Sequence, residues 1–128
     1  MTWYAAHIII GMKRRDGKGP ISVHENVFLI EAETFEEACR IASSEGEQQA
    51  SLDDGLTVDG APANYIFAGV RKIITVSNPD PLDQTKDRPA TGTEITYSEF
   101  EVPDEADLRR LGQGETLDIR YIECRRMM

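Results

Sequence analysis

The stretch WYAAHIIIGM, residues 3–12, is apolar on both faces when laid out as a strand, and this limits the fold more than any other feature. Alternation places Trp3, Ala5, His7 and Ile9 on one side. Tyr4, Ala6, Ile8, Ile10 and Met12 fall on the other. Neither side suits water, so the strand is expected to be central in its sheet or covered on both sides. It does not read as a secretory signal: no cation precedes it, His7 interrupts it, and Lys13, Arg14 and Arg15 follow it. No stretch approaches the ~20 apolar residues that cross a membrane as a helix. A cytoplasmic, non-membrane protein is expected.

The next segment, KRRDGKGP, carries Asp16-Gly17, a strong hairpin signal because primed turns need positive φ. Residues 21–32 are the returning strand. A two-residue turn at Asp16-Gly17 sets His7 opposite Asn26, His24 opposite Ile9, Trp3 opposite Ile30 and Tyr4 opposite Leu29. His7 and His24 then share a face. A slip of one residue would reverse that result.

Residues 34–50 read as a helix, with Thr34 as N-cap and Glu37 three residues on. Phe35, Ala38, Cys39 and Ala42 recur at helical spacing and form its buried stripe. Gly46 is expected to fray its end. The turn-rich residues 51–62 have room for a small hairpin, and 63–77 form a long strand with Gly69 marking a bulge. A polar connection, 78–93, precedes a strand at 94–102. A short helix follows at 103–112, between Pro103 and Gly112. A last strand spans 115–124. The order β-β-α-β-β-α-β, rich in hairpins, predicts an α+β fold: a largely antiparallel sheet of about five strands with one main helix packed on it. The 128 residues are expected to form a single domain.

Several short motifs follow one another in a recognisable order. Trp3-Tyr4-x-Ala6 comes first, then Ile30-Glu31-Ala32 leading into Glu36-Glu37-Ala38. Phe67-Ala68-Gly69-Val70 and Gly92-Thr93-Glu94-Ile95-Thr96-Tyr97-Ser98 complete the series. The combination resembles a family of small bacterial proteins classified only as a domain of unknown function, over roughly residues 3–100. The resemblance implies a compact α+β fold. It brings no catalytic residue with it, because the family has no agreed activity.

Charge narrows the function. The formal net charge is -9. Nucleic-acid backbones and anionic membranes are therefore not expected partners. Residues 25–54 hold nine acids against Arg40 alone. Glu33, Glu36 and Glu37 are the candidate contacts for a basic protein partner, and a solvated helix face is the plain alternative.

The chemical candidates are few. His7 and His24 with a carboxylate have the ligand types of a Zn²⁺ or Fe²⁺ site. Their apolar company, Trp3, Phe28 and Ile30, points instead to core histidines, and no metal is expected. Cys39 lies on the apolar helix face, where burial makes a thiol inert. Cys124 has no orienting base. There is no GxGxxG or P-loop pattern, so no cofactor and no catalytic residue are assigned.

The leading expectation is a non-enzymatic interaction or regulatory module, an adaptor or immunity-type inhibitor, using an acidic surface. The alternative is a small-molecule-binding domain or small enzyme with a site under the 78–93 loop, where His7, His24, Tyr65 and Tyr97 are the candidate ligand contacts. A homodimer that completes the sheet or covers its second face is compatible with both.

Overall fold

The computed structural model describes residues 2–77, 89 and 91–122. Within them the elements are β1 (Thr2–Arg14), β2 (Ser22–Ala32), α1 (Phe35–Ala50), β3 (Thr57–Val58), β4 (Ala61–Val76), β5 (Phe100–Glu101), α2 (Glu105–Gly112) and β6 (Arg120–Tyr121). The expected α+β class holds. The main sheet is antiparallel, ordered β2-β1-β4-β3, and α1 is the principal helix. The chain divides into two compact units, one ending at Thr96 and one beginning at Tyr97.

In the first unit, β1 is the central strand that its sequence requires. Tyr4, Ala6, Ile8 and Ile10 face α1 and form the core with Ile30, Ala32, Ala38, Ala42 and Ile73. Ile8 is fully buried, which is worth about 1.5–3 kcal/mol for a side chain of this size. Tyr4 meets Phe35 of α1 edge-on, with ring centroids 6.2 Å apart.

The β1–β2 register differs from the expected one by one residue. His7 stands opposite Val27, Ile10 opposite His24, Trp3 opposite Glu31 and Tyr4 opposite Ile30. The cause is the connection. Asp16-Gly17 is not a two-residue hairpin turn; β1 runs to Arg14, and β2 begins only at Ser22. The intervening loop contains two left-handed glycines, Gly17 at φ 73° and Gly19 at φ 79°. The slip reverses the faces of β2 relative to β1.

Along β4 the residues that must face α1 are spaced irregularly: Ile73, Val70, Phe67, Tyr65. Strict alternation would scatter them. Two register shifts realign them, between the partners of His7 and Ile8 and between those of Ile9 and Ile10. Gly69 lies between the shifts at φ 145°, a conformation that favours glycine.

The helix starts as expected, with Thr34 Oγ1 accepting from the Glu37 amide at 3.1 Å. It does not fray at Gly46. That residue is buried, and a Cβ there would lie 2.3 Å from the Phe67 ring. Gly46 is what lets α1 approach β4. The turn-rich segment does hold a hairpin: β3 pairs with the start of β4 through Asp59 and Gly60, both at positive φ.

Among the described residues, the strands expected over 94–102 and 115–124 reduce to β5 and β6. These form a two-stranded sheet of their own. Phe100 packs edge-on against Tyr121 at 5.3 Å, and the Ile122 amide donates to the Glu99 carbonyl at 2.8 Å. α2 begins at Glu105 rather than at Pro103, and Asp104 caps it, accepting from the Asp107 amide at 2.8 Å. The 78–93 connection lies largely outside the described residues.

Candidate functional site

The side of the main sheet away from α1 carries an unusual group. His7 of β1 is only 2% exposed. Its Nδ1 is 2.6 Å from Glu25 Oε2 on β2, and its Nε2 contacts Thr96 Oγ1. Lys72 of β4, cross-strand from His7, is also buried. Burial lowers the imidazole pKa first of all. The Glu25 hydrogen bond opposes that shift, and the positive charge of Lys72 adds to it.

These constraints fix the tautomer. A carboxylate only accepts, so Nδ1 carries the proton and donates to Glu25. The neutral ring then leaves Nε2 as an acceptor, and Thr96 donates to it. Hydroxyl, imidazole and carboxylate thus stand in the order that activates a nucleophile in hydrolases. Here the arrangement joins three distant parts of the chain: β1, β2 and the segment 91–96. Thr96 gives the second apolar face of β1 a cover at His7, and Ala5 beside it is fully buried.

The rest of that face is open. Val23, Val27 and Leu29 of β2 and Ile66 of β4 are 41–60% exposed. All four are on the His7 side of the sheet by register.

The histidine pair expected from sequence is not formed. His24 faces Ile10 on the α1 side, and His7 lies on the opposite side. Tyr65 shares the α1 side with His24 but is separated from it by β1. Its hydroxyl donates to Asp54 Oδ2 at 2.8 Å, and this bond pushes its pKa up. The depression beside it, of about 410 Å³, is lined in part by Arg15, Leu52, Asp53, Asp54 and Asn64. Tyr97 opens the second unit and is 56% exposed.

Glu25 and Thr96 are the residues that sequence reasoning missed. Among the described residues, no group of three His, Cys, Asp or Glu side chains is placed to hold a metal ion. The Cys39 thiol pKa is pushed up by burial and then by the nearby Glu36.

The acidic candidates are on or beside α1. Glu33 and Glu36 are exposed, and Glu37 is half-buried. With Glu45 and Glu47 they make five acids, none with an ion pair among the described residues. The second unit is different. There Glu105 pairs with Arg109, Asp107 and Glu115 with Arg110, and Glu101 with Arg120. The last turn of α1 has no basic residue, although the helix dipole would favour one there.

Among the described residues, no helix is long and apolar enough to cross a membrane. No curated protein matches the chain, and no solved structure does. A family model matches residues 3–96, a span that contains His7, Glu25, Thr96 and all of α1. The chain belongs to the family described as Domain of unknown function (DUF4288).

Proposed function

We propose that this protein is a non-enzymatic interaction module, an adaptor or inhibitor, that docks a basic protein partner on the acidic face of α1. One observation carries the reading: the five acids along Glu33–Glu47 lack ion pairs among the described residues, whereas Glu101, Glu105, Asp107 and Glu115 of the second unit are paired with arginines. Unneutralised surface charge of one sign steers encounter with an opposite charge. Acids near a helix C-terminus oppose the macrodipole, so Glu45 and Glu47 do not serve the helix itself. The proposed setting is the bacterial cytoplasm.

The test is capture from the source organism with the wild-type chain and with the Glu33→Lys/Glu36→Lys/Glu37→Lys variant. The reading expects a partner with a basic surface at fixed stoichiometry, released by moderate salt and lost in the variant. A partner retained by the variant would refute it.

The alternative, a small-molecule site, has one feature in its favour. The depression beside Tyr65 has a volume within the range of about 300–1,000 Å³ typical of ligand pockets. Its charged groups, Arg15, Asp53 and Asp54, are all exposed, so they remain hydrated and would hold a polar ligand only weakly.

A further inference from the structure

The two long strands that flank β1 differ in regularity and in the charge they carry. β4 carries two bulges, a left-handed Gly69 and the cations Arg71 and Lys72. Bulges and cations are the usual devices that keep a sheet edge from pairing with another chain. β2 has none of them. It is 11 residues long, contains no Pro, Gly or Lys, and keeps an unbroken register with β1. Among the described residues its only strand neighbour is β1. Val23, Val27 and Leu29 stand exposed along it.

We propose that β2 pairs antiparallel with β2 of a second copy of this chain, about a twofold axis through Val27, joining two four-stranded sheets into one of eight strands. The register argues for a second copy in particular. Pairing the whole strand with itself sets Ser22 against the partner's Ala32 and Val27 against the partner's Val27. On the His7 side, Val23 meets the partner's Glu31, and Glu25 meets the partner's Leu29. On the α1 side, His24 meets the partner's Ile30, and Asn26 meets the partner's Phe28. No like charges are directly opposed, and the exposed valines and leucine gain cross-strand neighbours.

The neighbouring registers are worse. An axis at Phe28 opposes Glu25 to the partner's Glu31, which is destabilising. An axis at Glu25 opposes that residue to itself. An axis at Asn26 leaves the end of each strand unpaired, because Ala32 then faces Pro20, which has no amide proton to donate. The register with full overlap thus pairs the whole strand and opposes no like charges directly. With the axis perpendicular to the sheet, both α1 helices lie on the same side. The acidic faces are then presented together, and the proposed docking becomes bivalent.

Sedimentation velocity at high micromolar concentration tests this with three samples: wild type, Val27→Glu and Val27→Lys. Val27 is 41% exposed, so neither charge disrupts the core, and circular dichroism verifies that each variant folds. Wild type is expected to sediment at twice the chain mass. Each variant, opposing its own charge across the axis, is expected as a monomer, and an equimolar mixture of the two is expected to regain the dimer. A monomeric wild type would overturn the proposal. So would a dimer that both variants preserve, which would place the interface elsewhere. Glu36→Lys/Glu37→Lys should leave the dimer intact, so failure of the docking surface and failure of the dimer read out separately.

Discussion

Through Nδ1, His7 donates to Glu25 Oε2 across 2.6 Å, from the central strand to its neighbour on the face away from α1. Burial holds this imidazole neutral by lowering its pKa below the ordinary 6.5. In the unfolded chain the same ring would take up a proton at about pH 6.5. Below that pH the unfolded state binds more protons than the folded one, so stability falls as pH falls. Denaturant melts between pH 7.5 and pH 5 should show that slope, and His7→Gln should flatten it. Equal slopes for the two proteins would show that His7 is not held neutral.

Thr96→Val removes the hydroxyl that satisfies His7 Nε2. Leaving a buried acceptor unpaired costs about 1–3 kcal/mol. The melting midpoint should drop. Amide exchange should quicken over residues 91–96 and remain slow in β1, and mass-resolved exchange distinguishes the two. A variant with unchanged stability would remove the fastening role of Thr96.

Gly46→Ala sets a Cβ against the Phe67 ring, where 2.3 Å is available. Overpacking of this kind costs about 1–3 kcal/mol. Better helix propensity returns about 1 kcal/mol at most. A modest net loss is expected in urea melts. Pairing it with Phe67→Leu should recover part of the loss, because the smaller side chain removes the ring that the new methyl meets.

His24→Ala should be silent in stability. His24 is an exposed residue of β2 and faces Ile10 rather than His7. A thermal melt within a degree or two of wild type is expected, whereas a large shift would mean that the two histidines act together.

The parts of this fold that were legible from sequence are those set by local chemistry. Apolar residues on both faces of 3–12 identify a central strand. Thr34 and Glu37 identify the start of α1, and Gly69 identifies the irregularity in β4. What escaped depends on loop geometry and distance. The β2 register rests on how residues 15–21 coil around Gly17 and Gly19, which a dipeptide signal does not reveal. A two-residue turn would put Glu25 opposite Ile8, on the face away from His7, so the correct partner was hidden by a slip of one residue. Thr96 is 89 positions from His7, and no periodicity links them. The alternation in 94–102 and 115–124 is real, but alternation alone does not supply a strand to pair with, and among the described residues only two of each segment form a ladder.

The most direct test of the interaction reading is the native mass of the protein purified gently from its own host. The expected result is a complex with a second, different protein at fixed stoichiometry, dissociating as salt is raised and absent when Glu33, Glu36 and Glu37 are reversed to lysine. A chain that carries no protein partner and retains a small molecule instead would contradict it and establish the ligand-binding alternative.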